Sequence, residues 1–229
     1  DVMGAGLVLA AMAIGAFVSG AMARHLAAKF GSPGTVLIGL GLEFVGILAV
    51  AFIVSATTPG WLVAVPLVVY GLGLGLASAQ LTGTVLRDVP TEVSGQGSAT
   101  QSTVRQIGSA LGTAFAGAAL SVALALTLPA ALAREGITGT EAETLAETTR
   151  QSAGSTISQL RAEGSASQLG DHTDAAVRAL SEGFADGTRW AMLIGSAFLL
   201  LGFVGAMRLR SASKRPAPEL PEQVSETIS

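Results

Sequence analysis

The sequence predicts an all-α membrane protein with about five helices that cross a lipid bilayer. Half of its 229 residues are apolar and only 13% are charged, whereas a soluble domain carries roughly a quarter charged residues. A soluble fold of this length needs charge to wet its surface, so lipid is the predicted solvent. The charges are also segregated, because they collect in four regions between long apolar runs: Arg24 to Lys29, Arg87 to Glu92, Arg134 to Asp186, and the tail from Arg208.

Five apolar runs are long enough to span the hydrocarbon core, which requires about 20 apolar helical residues. They cover residues 4–23, 35–55, 61–86, 98–126 and 188–207. We therefore divide the chain into four transmembrane helices within 1–128, a long extracytoplasmic loop with short helices at 129–186, a last transmembrane helix at 187–208, and a disordered cytoplasmic tail at 209–229.

The orientation follows from lysine and arginine, which mark the cytoplasmic side in short loops. The first loop and the tail are both basic, and five spans place them on the same side. The 129–186 segment lies on the other side, with nine acidic residues, four arginines and no lysine. Trp61 and Trp190 lie near that outer interface, where aromatic anchors are common. The expected location is the plasma membrane, with multiple spans and a cytoplasmic C-terminus.

The outer segment contains a helix-start pattern at Thr140 to Glu143, which has the spacing of a capping box. This pattern predicts a short helix over 140–151, and apolar periodicity predicts a second over about 171–184. A mobile, solvated loop is the alternative for the first half of the segment.

Glycines are abundant within the predicted spans, at 29 in the whole chain. In lipid, small residues let helix backbones approach and gain van der Waals contact. Helix packing is the predicted role, and sliding or rocking of helices during a functional cycle is compatible with it. The positions assigned to packing are Gly71, Gly75, Gly108 and Gly112.

Glu43 lies near the middle of the second span. A carboxyl at this depth faces a bundle interior or a water-filled path by default and is a functional candidate. Desolvation favours its protonated form, so it could load and release a proton. The alternative is a carboxyl that stays protonated or bonds to a neighbouring helix.

Other polar residues form two weaker groups. Gln80, Thr82 and Gln101 are candidates for lining a path through the helices, with interhelical hydrogen bonding as the alternative. Arg105 and Gln106, with Glu92 in the preceding loop, are candidates for a gate or an interface. Arg105 lies at the cytoplasmic edge, where it can snorkel to water and pair with Glu92 or Asp88.

Several classes of function are disfavoured by the sequence. It contains no cysteine and its two histidines lie far apart, so no metal centre is predicted. No Ser/His/Asp set or phosphate-binding loop indicates an enzyme, and no basic stripe indicates nucleic acid as a partner.

Three segments in order resemble the major facilitator superfamily, and most of all its fourteen-span drug:proton antiporter branch. They are Gly71 to Gln80, Val89 to Gly95 and Thr103 to Gly112, preceded by Ala5-Gly6-Leu7 and the Gly20 to Gly31 loop. The inner loop departs from the family pattern, since Arg24 stands where a gating acid is common. The resemblance covers nearly the whole chain except the tail.

The resemblance implies that the chain is part of the second six-helix half of a major facilitator fold. Its partners would be the lipid bilayer, a small-molecule substrate and the missing N-terminal half of the transporter. The implied function is secondary active transport, specifically proton-coupled efflux of small hydrophobic or cationic drug-like compounds, with no cofactor and the proton gradient as energy source. The abrupt start at Asp1 likewise suggests a C-terminal portion, although a complete five-span protein is the alternative. A non-transporting sensor or assembly partner that uses the long outer loop is the competing hypothesis.

Overall fold

The computed structural model describes residues 2–86 and 89–212, and this part of the chain is helical with no β-strand. Within these described residues, seven α-helices follow one another: α1 Val2–Phe30, α2 Ser32–Ile53, α3 Gly60–Leu86, α4 Ser94–Arg134, α5 Thr140–Gln151, α6 Ser155–Glu163 and α7 Thr173–Ala212. Single 3₁₀ turns lie before α4 and on either side of residue 168. The predicted all-α fold is confirmed.

Five of these helices, α1, α2, α3, α4 and α7, are long and apolar enough to cross a membrane. Successive long helices run in opposite directions, as the short connections at Gly31 and at 54–59 require. Their exteriors carry many large apolar side chains, such as Phe17 at 81% exposed and Leu201 at 68% exposed. Lipid rather than water is the medium that suits such a surface.

The long helices pack as two groups. In the first group, α3 contacts α1 along one face and α2 along another. In the second group, α4 packs along α7. Contact between the groups comes mainly from α2 against α7, and α3 touches α4 only weakly.

Alternate glycines let α3 pack closely against two neighbours at once. A Cβ placed on Gly71 would meet the backbone of Met12 on α1, and one on Gly75 would meet Ala16 and Ser19. Gly73 lies between them in sequence and points the other way, against Gly39 and Glu43 on α2. Successive residues in a helix rotate by 100°, so 71 and 75 share one face and 73 lies on the opposite face.

The surroundings of Gly108 and Gly112 differ from what we predicted, which was close packing against another helix. No atom of the described residues lies within 4 Å of a Cβ placed at either position. The reason is that residues 102–118 of α4 are exposed along their whole circumference. The close approach of α4 to α7 occurs instead beyond this stretch, at Gly183 and Gly187 of α7.

Helices α4 and α7 extend well beyond the predicted spans. They contain 41 and 40 residues, so each is about 60 Å long, roughly twice the thickness of a bilayer core. The two ends of the segment 129–186 therefore belong to long helices, because α4 continues through Pro129 to Arg134 and most of the predicted helix at 171–184 is the first part of α7. Burial of Leu128 and Leu132 on either side of Pro129 stabilises this continuation.

The ends of α4 and α7 form a helical unit with α5 and α6, and we call residues 120–187 the cap. Its interior is the main apolar core of the described chain, formed by Leu124, Leu128, Ala131, Leu132, Ala142, Ala146, Ile157, Leu160, Ala179 and Leu180. The cap is thus a packed structure and not a solvated loop. The helix predicted at 140–151 is present, whereas the helix α6 has no counterpart in the prediction.

The start of α5 differs from the predicted capping box. Its N-cap is Gly139, with φ +78°, and Thr140 is the first helical residue without a side-chain cap bond. At the other end of the chain, residues 209–212 continue α7, although we predicted a disordered tail from 209. The rest of that predicted tail, residues 213–229, lies outside the described residues.

Ion pairs fasten the cap. Arg178 on α7 donates to Glu135 at the end of α4 at 2.9 Å. Arg150 on α5 pairs with Glu147 at 2.7 Å and donates to the hydroxyl of Ser121 on α4 at 2.6 Å. These bonds connect α4, α5 and α7 within the cap through polar side chains.

Candidate functional site

An apolar cleft of about 870 Å³ lies between the two helix groups. Its walls come from α2 and α3 on one side and from α4 and α7 on the other. The lining residues are Ile47, Tyr70, Gly108, Leu111, Gly112, Ala114, Phe115, Ala116, Ala119, Ala191, Gly195, Phe198 and Leu199. Small-molecule sites are commonly apolar concavities of roughly 300–1,000 Å³, so the size and lining suit a drug-sized hydrophobic compound.

Two aromatic rings join the α4 and α7 walls of this cleft. The ring centroids of Phe115 and Phe198 lie 4.4 Å apart, with an angle of 59° between the planes. A second apolar cavity of about 440 Å³ begins at Phe115 and Ala119 and runs between α4 and α7 toward Trp190. The aromatic pair therefore lies where the two cavities meet.

Glu43 is the buried carboxyl group beside the cleft. It lies on α2 one turn before Ile47, and its side chain is only 6% exposed. The side chain packs over Gly73 on α3, and Tyr70 is near enough to interact with it electrostatically. Within 2–86 and 89–212, no hydrogen bond or ion pair satisfies its carboxyl group. No side chain among the described residues therefore fixes the protonation state of this carboxyl through a hydrogen bond or an ion pair.

The three path candidates do not line the cleft. Gln101 on α4 donates from Nε2 to the hydroxyl of Thr82 on α3 at 3.3 Å. Gln80 is half-buried, and its backbone carbonyl accepts from the hydroxyl of Thr84 at 2.8 Å. This geometry favours the alternative of interhelical bonding for Gln101 and Thr82. Both lie at the end of the bundle away from the cap, where Gln101 lines a groove of about 530 Å³.

The gate candidates lie at the same end. Arg105, Gln106 and Glu92 are all exposed, and Arg105 borders the groove between α3 and α4. The expected pair between Arg105 and Glu92 does not occur, and Glu92 instead accepts from the hydroxyl of Thr91 at 3.3 Å. Solvent satisfies exposed charges without a direct partner, so nothing forces the two together. Asp88, the other proposed partner, lies outside the described residues.

Sequence reasoning missed Arg189 on α7. Its guanidinium donates to the backbone carbonyls of Ala51 and Val54 at the end of α2, at 3.1 and 3.0 Å. A signal was available, since Arg189 is an arginine next to an interfacial tryptophan on the side where basic residues are scarce.

No group of three His, Asp or Glu side chains within residues 2–86 and 89–212 is arranged to hold a metal ion. The polar chemistry near the cleft is thus that of single residues, Glu43 and the hydroxyl of Tyr70.

Comparisons with known proteins agree with this architecture. Residues 1–113, which include α1, α2, α3 and the first half of α4, match the Major Facilitator Superfamily. The chain is also 33% identical over 94 residues to the riboflavin transporter RibZ of Clostridioides difficile (strain 630). That match covers 41% of this chain and 20% of the relative, so the chain corresponds to about a fifth of that protein's length. No solved structure matches the chain significantly. With five apolar helices of membrane-spanning length among its described residues, the chain is a multi-pass membrane protein, and just under half of it matches the major facilitator superfamily.

Proposed function

We propose that this chain forms part of a secondary active transporter that expels small hydrophobic or cationic drug-like compounds in exchange for protons. The observation that carries the proposal is the position of Glu43 beside the apolar cleft. A hydrophobic compound needs a cavity of this size and lining, and coupling needs a group that gains and loses a proton within the membrane.

The distribution of charged residues supports the membrane orientation in this proposal. The cap holds nine acidic residues and four arginines, with no lysine. The opposite end of the bundle carries Arg24 and Lys29 at the end of α1, and Arg208 in the last turns of α7. Because basic residues favour the cytoplasm, the proposal has the cap outside, the C-terminus inside and the protein in the plasma membrane. The fourteen-span branch and a role as part of the second six-helix half belong to the same proposal.

The riboflavin transporter to which residues of this chain are similar suggests a second probe. Riboflavin has a planar aromatic ring system, and the cleft contains Tyr70, Phe115 and Phe198. Stacking of flat rings on aromatic side chains is favourable. A lipophilic cation and riboflavin are therefore the two compounds to compare.

The decisive experiment reconstitutes the protein in proteoliposomes with an imposed pH gradient. We expect movement of one of the two probes that stops when a protonophore collapses the gradient. Transport that required ATP, or that was unchanged without the gradient, would contradict proton coupling. Vesicles without protein provide the control for passive leakage of the lipophilic cation.

The cap favours a second candidate, a membrane sensor or assembly partner. Between α5 and α6 the cap has a polar groove of about 570 Å³, with Glu141, Glu163 and Gln168 among its lining residues. Deletion of residues 139–170 separates the two candidates. Intact transport after the deletion would leave the cap peripheral, whereas lost signalling with unchanged transport would favour the sensor.

A further inference from the structure

The end of α2 is capped by side chains from outside the helix. The last carbonyl groups of an α-helix lack partners within the helix and carry partial negative charge that favours a nearby cation. Arg189 donates from Nε to the oxygen of Ala51 at 3.1 Å and from an η nitrogen to the oxygen of Val54 at 3.0 Å. The hydroxyl of Thr58 donates to the carbonyl oxygen of Ile53 at 2.6 Å. The guanidinium of Arg189 is thus the charged group among the side chains that bond to the C-terminal end of α2.

The same bonds join the two helix groups. Arg189 belongs to the second group and Ala51 to the first, and α2 against α7 is the main contact between the groups. Ala51 follows Ile47 by one helical turn, and Arg189 lies two residues before Ala191, the first lining residue of α7. The bonds therefore hold the two walls of the cleft together at its cap end.

A competing partner lies on α7 itself. The carboxylate of Asp186, one turn earlier, is 3.9 Å from the other η nitrogen of Arg189. Both side chains are about two-fifths exposed, at 39% for Arg189 and 43% for Asp186. The guanidinium therefore contacts the carboxylate while it holds the carbonyls of α2, and the carboxylate is positioned to bind it more closely when the carbonyls move away.

We propose that Arg189 is a positioning residue that closes the cap end of the cleft, and that Asp186 accepts its guanidinium when the two walls separate. In the closed arrangement Arg189 holds the end of α2. In the open arrangement the guanidinium pairs with Asp186, and the cleft opens toward the cap. This inference rests on the proposed transport function only for its purpose, since the two arrangements can be measured without substrate.

The test measures the distance between α2 and α7 in the protein reconstituted in lipid. The chain has no cysteine, so Ala56→Cys and Glu182→Cys place two spin labels on exposed positions at the cap end. We expect Arg189→Gln to raise the ratio of long to short distances roughly tenfold, as loss of hydrogen bonds to a charged group predicts. Asp186→Asn removes the competitor and should shift the ratio the opposite way. Arg189→Lys, which keeps the charge but not the fork, should fall between wild type and Arg189→Gln.

Opposite changes in the ratio of long to short distances for Arg189→Gln and Asp186→Asn would distinguish a switch from a purely structural bond. Arg208→Gln is the matched control, because it removes an exposed arginine from the far end of the same helix, and it should leave the distances unchanged. Equal distances in Arg189→Gln and wild type, or shifts of the same sign in Arg189→Gln and Asp186→Asn, would overturn the proposal. If Arg189→Gln does not fold, the Asp186→Asn shift alone decides. If the variants showed these shifts but the wild-type protein carried out no transport, the proposed function would be refuted and the positioning role would remain.

Discussion

Glu43 of α2 lies directly against Gly73 of α3, with no space for a methyl group between them. A Cβ at position 73 would lie 2.6 Å from the backbone nitrogen of Glu43 and 2.9 Å from its Cγ. The glycine thus brings the α3 backbone next to the buried carboxyl and fixes the depth at which it lies. The packing of α3 and the proposed proton chemistry depend on the same contact.

Gly73→Ala should destabilise the first helix group. The added methyl group would meet backbone as well as side-chain atoms, and overpacking of this kind costs about 1–3 kcal/mol. Thermal unfolding in detergent measures the loss. Gly112→Ala is the matched control, since nothing described lies near its Cβ and alanine favours a helix by up to about 1 kcal/mol over glycine. Equal loss of thermal stability in both variants would show that the α2–α3 contact can accommodate a methyl group.

Glu43→Gln should weaken proton-coupled transport while preserving expression and folding. The amide keeps the shape of the side chain but cannot release a proton. Uptake or efflux measured across a range of pH tests this, with Glu143→Gln, an exposed glutamate on α5 in the cap, as the control. A pH dependence unchanged from wild type would remove Glu43 from the mechanism.

Phe115→Ala should reduce the affinity of an apolar probe for the cleft. The substitution removes one ring of the pair with Phe198 and an apolar wall of both cavities. Aromatic pairing contributes about 0.5–1.5 kcal/mol beyond simple burial, so a loss of at least a few fold is expected in equilibrium binding to protein in detergent. Phe17→Ala, a fully lipid-facing ring at 81% exposed, should leave binding unaltered. Similar affinity in both variants would mean that the probe binds elsewhere.

Leu180→Ala should loosen the cap. Leu180 is completely buried in the cap core, and truncation of a buried leucine costs about 2–5 kcal/mol. Hydrogen exchange of α5 and α6 in the intact chain should accelerate. Leu126→Ala is the comparison, because Leu126 lies on the same helix pair but is 70% exposed. Slow exchange in both variants would contradict a cap held by its core.

Acid should weaken the link between α4 and α7 within the cap. The hydrogen bond from Arg178 holds the pKa of Glu135 below its ordinary value of 4.5, so the folded state favours the ionised form. This stabilisation is present above that ordinary value and is lost as the pH falls through the lowered pKa. Hydrogen exchange around residues 133–137 at decreasing pH should show the change, and Glu135→Gln should abolish it. Glu147, whose pKa is lowered by Arg150, should behave the same way in α5.

Much of this molecule was determined by the sequence alone. Long apolar runs, sparse charge and abundant glycine specify helices in lipid, because backbone polar groups there must be satisfied within each helix. The same reasoning identified Glu43 as a buried carboxyl, and the helix at 140–151. These features depend on local composition and on the solvent, which a single sequence displays.

The tertiary structure decided which residues meet. Alternation of Gly71, Gly73 and Gly75 between two neighbours, and the open surroundings of Gly108 and Gly112, depend on where the other helices lie. The continuation of α4 through Pro129 depends on burial in the cap core, which no local pattern reveals. Arg189 reaches carbonyls 135 and 138 positions earlier in the chain, and backbone acceptors leave no mark in side-chain sequence. Contacts made through packing and through backbone atoms across helices were therefore beyond a reading of local pattern.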